Sequence, residues 1–296
     1  MIKIYNRYTK EYELEKVSGE RLINILYNTA PGKLGLELLV KKRLCSDLSG
    51  LICDSRFSAG KIKQFIKEYD IDMSESLNKI EDFKTFNDFF TRRLKSDARH
   101  FNAENGLFLS PGDGRIRAWA DIDIEKAVQV KDSYYNIGEL LANSELANKY
   151  RGGTKIILRL CPVDYHRYHF IDDGICSEST RIKGHYYSVN PAALTSIPKV
   201  FCSNKREYSI LHSDNFGDVL YMEVGATSVG SIVQTYMPGV RVKRGSEKGF
   251  FKFGGSTIIL LIEKGLVGMD EDILYQTRAG FECKVAAGEV IGKKIL

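Results

Sequence analysis

The chain has 296 residues, of which 43% are hydrophobic and 27% charged, a balance that excludes a largely disordered protein and leaves room for a sizeable core. Its 43 basic and 38 acidic residues give a net charge of +5, a mild bias toward anionic partners that decides nothing by itself. No apolar run reaches the roughly 18–20 residues that cross a bilayer as a helix, so any membrane contact is expected to be peripheral.

In chain order, Met1–Lys10 is polar and tyrosine-rich and lacks the apolar centre of a signal peptide. None of the six cysteines (45, 53, 161, 176, 202 and 283) forms a CxxC pair. Both features predict a reducing cytoplasm and free thiols. Up to about residue 105 the texture is helical. Gly19–Tyr27 and Lys33–Leu44 carry leucine and isoleucine at helical spacing around the breaker Ala30-Pro31-Gly32, and Lys61–Tyr69 is amphipathic. Thr85 is a predicted N-cap, with Asp88 three residues on and Phe86, Phe89, Phe90 and Leu94 on one face. Lys33–Arg43 mixes leucines with a basic end, which suits an interfacial helix and a core helix equally.

From about Leu107 the pattern turns to strands. Lys155–Leu160, Asp218–Val224, Gly230–Thr235 and Thr257–Ile262 alternate with glycine- and asparagine-bearing turns, and the unbroken run Ile258–Ile262 predicts a strand buried on both faces. The expected fold class is therefore α+β: a helical section over residues 1–105, then a mostly antiparallel β body over 106–296.

Three segments hold candidate chemistry. Gly254-Gly255-Ser256 sets a hydroxyl after two residues without a Cβ, where a carbonyl can be strained and approached by the serine; standing alone, it reads far more readily as a tight turn before a core strand. His166 and His169 share a face if helical and oppose each other if extended. They suit a zinc site only with a further ligand that the sequence does not place. Asp113 stands between glycines in Ser110-Pro111-Gly112-Asp113-Gly114-Arg115, a turn between strand-like runs. Nucleophile, base and orienting acid are the parts of one device. Asp70, Asp72, Ser74 and Glu81 follow calcium-loop spacing, but Glu75 stands where that loop needs glycine. Lys205-Arg206 and Arg241–Arg244 carry no nucleic-acid motif and read as solvated surface, so no nucleic acid is expected.

These segments, with Thr85–Leu94 (TFNDFFTRRL), Tyr187–Pro191 (YSVNP), Gly225–Ile232 (GATSVGSI) and Lys248–Thr257 (KGFFKFGGST), resemble phosphatidylserine decarboxylase proenzymes over most of the chain. The resemblance implies that Asp113, His169 and Ser256 form a self-processing triad, with His169 as base and Asp113 holding its tautomer. It further implies cleavage between Gly255 and Ser256, and conversion of Ser256 to a covalent pyruvoyl cofactor that forms a Schiff base with phosphatidylserine. His166 matches the position tied to decarboxylation, and no metal is implied. Phe-Gly-Gly-Ser-Thr here departs from the commoner Leu-Gly-Ser-Thr of that family. Large and small chains are expected to stay associated, at the cytoplasmic face of the cell membrane and in peripheral contact with anionic lipid; the sequence also admits a homo-oligomer. Two rival readings are a zinc-dependent hydrolase using His166 and His169, and a non-catalytic lipoyl-type module suggested by Val285–Gly292.

Overall fold

The structure, a computed structural model, describes residues 2–15, 50–126, 128–130, 133–185, 200–225, 232–254 and 256–295. Gly19–Tyr27, Lys33–Leu44, Tyr187–Pro191, residues 226–231 and Gly255 lie outside the described residues.

The chain opens with strands rather than helices: β1 (Ile2–Asn6) and β2 (Glu11–Glu15) form a hairpin. Two helices follow. In α1 (Ile62–Tyr69), Ile62, Phe65 and Ile66 recur at helical spacing and pack into one apolar cluster, and the helix stops at Asp70, which takes a left-handed φ of 52°. In α2 (Phe86–Phe90), the Thr85 hydroxyl accepts from the Asp88 amide at 3.0 Å, as the N-cap spacing predicts, and Phe86, Phe89 and Phe90 are buried. The helix is shorter than expected. Thr91 Oγ1 turns back to donate to the Asn87 carbonyl, and Leu94 leaves the helical face to bridge Ser76.

The β body begins with β3 (Leu107–Leu109) and β4 (Gly114–Trp119). A short hairpin, β5 (Val128–Val130) and β6 (Ser133–Tyr135), stands apart. Then come β7 (Thr154–Leu160), β8 (Arg167–His169), β9 (Gly174–Cys176), β10 (Thr180–Ile182), β11 (Arg206–Ser213) and β12 (Gly217–Gly225). The C-terminal third supplies β13 (Ile232–Gln234), β14 (Arg241–Val242), β15 (Glu247–Phe251) and β16 (Ser256–Ile262). It closes with β17 (Val267–Met269), α3 (Glu271–Arg278), β18 (Glu282–Val285) and β19 (Val290–Lys294).

The principal sheet runs β14-β9-β11-β12-β16-β7-β4-β18-β1-β2, with β10 added to β11. All its strand pairs are antiparallel except β1 on β18. Strand β16 lies at its centre with all seven residues buried, as its unbroken apolar run predicts. Ile258, Leu260 and Ile262 face one core cluster with Leu158 and Tyr221, while Ile259 and Leu261 face a second with Leu220 and Met222. A small sheet, β13-β15-β8, carries the histidine segment, and another, β17-β19-β3, leads into the Asp113 turn.

Arginines pin the distant parts together. Arg7 reaches Asp270, Asp272 and Glu289, fastening the first hairpin to the C-terminal strands. Buried Glu15 pairs with both Arg115 and Arg159. The basic clusters read as solvated surface are partly internal: Arg206 is buried and donates to the Leu140, Cys202, Asn204 and Glu139 carbonyls, and Arg244 pairs with buried Asp172. Cys161, Cys176 and Cys283 are free and buried, but not all pack as small apolar groups: Cys161 Sγ accepts from Arg159 Nη1 at 2.9 Å and Cys176 Sγ donates to Ser209 Oγ at 3.5 Å.

Candidate active site

Asp113 sits just ahead of β4, where β4 approaches β7 so closely that a Cβ on Gly114 would lie 2.6 Å from the Arg159 carbonyl oxygen. Glycine at that position is thus required by the close approach. The Asp113 carboxylate is fully engaged from one side. Arg99 donates Nε to Oδ1 at 2.8 Å and Nη2 to Oδ2 at 2.6 Å, and the Ala287 amide donates to Oδ1 at 2.8 Å. Arg99 in turn holds Glu75 at 3.0 Å. The segment that suggested a lipoyl-type module is therefore part of the wall behind Asp113.

His169 ends β8. Its amide donates to the Pro111 carbonyl at 2.8 Å, which ties the histidine strand to the Asp113 turn. The ring lies between Phe101 and Tyr165, at centroid distances of 5.1 and 5.8 Å. Nδ1 is 2.9 Å from the Gly245 carbonyl, which only accepts, so the neutral ring carries its proton on Nδ1 and leaves Nε2 bare. Burial pulls the His169 pKa down and keeps the ring neutral. The expected division of labour changes accordingly: the Gly245 carbonyl, not Asp113, receives the Nδ1 proton. The carboxylate acts on the ring through space, favouring its charged form.

Ser256 is the first residue of β16, opposite Gly225 on one side and Leu160 on the other. Ahead of it Gly254 holds a φ of 152°, a backbone position that side-chain-bearing residues rarely adopt. Arg115 pairs with Arg159 and Ser256 with Leu160, so the starts of β4 and β16 flank the same end of β7, about 10 Å apart across two strand spacings. Asp113 and Ser256 thereby stand at one end of the sheet, and the hydrogen bond from the His169 amide to Pro111 brings the His169 strand to the Asp113 turn.

His166 lies just before β8 and is completely buried. Its Nδ1 donates to the Asp164 carbonyl at 2.9 Å, again leaving Nε2 bare, and its ring packs on Phe90 at 3.9 Å. Burial lowers its pKa to about 4, so it is neutral at physiological pH. The two histidines thus have separate walls and separate carbonyl partners. Helix α2 also shapes the segment leading to Ser256: Asn87 Oδ1 accepts from the Phe253 amide at 2.8 Å, and the Phe253 ring meets Phe86 and Phe90 at 4.9 and 5.1 Å.

The site is marked by polar atoms left without partners. Ser256 Oγ, His169 Nε2, His166 Nε2 and two nitrogens of Arg92 are all buried and unbonded. Each such group costs about 1–3 kcal/mol; Arg117 Nε and Tyr150 Oη are orphaned elsewhere, so it is the gathering of several near Ser256 that marks the site. Sequence reasoning missed Asn87, Arg92, Arg99, Gly245 and Ala287. Asn87, Arg92 and Arg99 stand in or near the TFNDFFTRRL segment, which was the available signal; Gly245 and Ala287 act through their backbones and leave none.

The sequence profile of the phosphatidylserine decarboxylase family matches residues 86–293. The chain belongs to that family. A phosphatidylserine decarboxylase proenzyme of Ruminiclostridium cellulolyticum is 58% identical over 295 residues, covering 100% of this chain and 98% of that protein. Proenzymes of the same description from Clostridium beijerinckii and Clostridium tetani are 55% and 54% identical, each covering at least 99% of both chains. Nothing supports the rival zinc reading among the described residues, where no group of three or more His, Cys, Asp or Glu could hold a metal ion.

Proposed function

We propose that this chain is a proenzyme that cuts itself between Gly255 and Ser256 and then decarboxylates phosphatidylserine to phosphatidylethanolamine and CO2. The observation that carries the proposal is a buried Ser256 hydroxyl with no partner, two residues after Gly254 in a backbone conformation that glycine alone adopts readily, near a bare histidine nitrogen. His169 Nε2 takes the Ser256 Oγ proton, and Oγ attacks the Gly255 carbonyl. The peptide C–N bond breaks as the C–O bond forms, leaving an ester. Loss of the Ser256 Cα proton then expels the Gly255 carboxylate, and water replaces the freed nitrogen, which leaves as ammonia. General-base help of this kind is worth about 10²–10⁴ in rate.

The product of that sequence is a pyruvoyl group at position 256. The surroundings of Ser256 fit it, because a ketone adds no donor that needs a partner, and the strand behind it is fully buried. This group supplies an electrophile for the substrate amine and a sink for the electrons released with CO2. His166 Nε2 is the basic atom left for the second reaction, and its role is to take a proton from the substrate ammonium and return it to the carbon that CO2 has left. Phe90 packs on the His166 ring and on Phe253, which keeps water from that face of the imidazole.

Membrane contact at the cytoplasmic face belongs to the same proposal. Among the described residues no helix is long and apolar enough to cross a bilayer. Phe57, Leu51 and Ile52 are 96%, 69% and 49% exposed, and Arg56, Lys61 and Lys63 are exposed beside them. An apolar groove containing Ile52, Phe65 and Phe86 runs from there to Phe253, three residues before Ser256. Apolar groups ringed by cations fit the surface of an anionic bilayer. The expected interfacial segment Lys33–Arg43 lies outside the described residues.

Denaturing mass spectrometry tests the central claim. The expected result is two fragments meeting at Gly255 and Ser256, the smaller blocked at its N-terminus and reactive toward carbonyl reagents. Under native conditions they should stay together, because β16 is hydrogen-bonded between β12 and β7. A chain that decarboxylates while uncut would overturn the proposal.

A further inference from the structure

Among the buried arginines, Arg92 is the exception. Arg115 and Arg159 are closed by carboxylates, Arg167 by Glu247, and Arg206 by backbone carbonyls. Arg92 is just 6% exposed, yet its Nε and Nη1 have no partner. Its Nη2 has only the Val163 carbonyl, at a long 3.4 Å, and its guanidinium stands 5.2 Å from the centre of the Phe89 ring. No carboxylate touches Arg92: Asp113, Asp164 and Glu75 act on it only through space, and burial outweighs them and pulls its pKa down. A buried cation with no anion in contact is costly, and folds close such groups with an anion or replace them.

Its position says what the anion belongs to. Arg92 leans on the Val163 carbonyl, and His166 Nδ1 donates to the next carbonyl, that of Asp164. Successive peptide units of one segment thus hold two side chains with bare nitrogens: donors on Arg92 and an acceptor on His166. Both also pack on α2, Arg92 against Phe89 and His166 against Phe90. The Arg92 charge reaches the imidazole and helps keep it neutral.

We propose that Arg92 is the anion-binding residue of this site and takes the phosphodiester of the lipid headgroup. The proposal rests on the decarboxylase reading above. Phosphatidylserine brings two anionic groups, a carboxylate and a phosphodiester. A cation holding the carboxylate would stabilise the charge that has to leave with CO2, and so would oppose the reaction. The phosphodiester keeps its charge from substrate to product. Holding it contributes equally to both states, which lowers KM without touching kcat.

The test uses the processed enzyme with Arg92→Met and Arg92→Lys beside the unaltered protein, assayed for CO2 release from short-chain phosphatidylserine. Arg92→Met should be cut normally and show KM raised about 10- to 100-fold with kcat little changed, the loss expected for a charge-assisted hydrogen bond; Arg92→Lys should recover part of it. Inhibition by short-chain phosphatidylethanolamine, which has the phosphodiester but no carboxylate, should weaken by the same factor. Inhibition that does not weaken would overturn the assignment, because Arg92 would then hold the carboxylate or nothing. Unliganded Arg92→Met should melt at or above the unaltered protein, since an uncompensated charge has been removed; a fall in Tm would mark a structural arginine and also overturn it. In the unaltered enzyme, glycerophosphoethanolamine should raise the Tm and ethanolamine should not; equal shifts reject the proposal, as does failure of both variants to fold. If the unaltered chain neither cuts itself nor releases CO2, the decarboxylase reading fails first; if it does both and the variants match it, Arg92 alone is wrongly assigned.

Discussion

Arg99 holds the Asp113 carboxylate by two parallel hydrogen bonds, at 2.8 and 2.6 Å. A carboxylate has about four lone-pair positions. Arg99 and the Ala287 amide occupy three, leaving one on Oδ2. The carboxylate is therefore fixed in orientation and retains a single free acceptor position.

If that orientation serves self-processing, loosening it should slow cleavage without unfolding the sheet. Arg99→Gln is expected to slow conversion to two chains about 10-fold or more, and Arg99→Lys, which keeps the charge but loses the fork, to fall between. Asp113→Asn should be slower than either. Time courses of chain cleavage on denaturing gels measure all three, and equal rates would remove Asp113 from the processing machinery.

His169 and His166 differ in what surrounds them, and their substitutions should separate the two reactions. His169→Ala removes the bare nitrogen assigned to Ser256 and should leave the chain uncut, at least about 10²-fold slower. His166→Ala should still be cut yet release little CO2. Mass spectrometry reads the first effect and a CO2 assay on the cut protein reads the second. Normal cleavage in His169→Ala would show that another group is the base.

The buried histidines also make stability depend on pH. His166 has a folded pKa of about 4 against an ordinary 6.5, so as pH falls the unfolded chain takes up the proton first. Stability is accordingly lost on acidification between pH 6.5 and 4, by about 2 kcal/mol at pH 5 from this residue alone. His169, also shifted down, adds in the same direction. Urea unfolding at pH 7 and pH 5 should show a smaller drop for His166→Gln than for the unaltered chain. As a base whose pKa burial pulls down, His169 should lose processing rate on acidification at a lower pH than an exposed imidazole would.

The exposed apolar patch gives a prediction for lipid binding. Phe57→Ser combined with Ile52→Ser should weaken sedimentation with anionic phosphatidylglycerol vesicles about 10-fold or more, on the apolar area withdrawn. Decarboxylation of short-chain substrate dissolved in detergent should be spared. Replacing Lys41, Lys42 and Arg43 by Glu tests the preceding segment separately. Unchanged vesicle binding in the first variant would rule out this surface.

Much of the architecture was legible locally. The run Ile258–Ile262 announced a strand buried on both faces, and Thr85 with Asp88 announced a helix start, because burial pattern and capping depend on residues a few positions apart. The reactive candidates Asp113, His166, His169 and Ser256 were likewise visible as residue types in glycine-rich or paired settings. What neighbouring residues could not disclose was decided by partners far along the chain. Residues 2–15 became strands because β18, about 280 residues away, offers β1 an edge to pair with. The His169 proton was assigned by a backbone carbonyl at Gly245, and Asp113 was turned by Arg99 and an amide at Ala287. Backbone groups look alike at every position, so a sequence cannot say which of them meets a given side chain. Nor could it say that Arg92 is buried without an anion, because a missing partner is a property of the packed molecule.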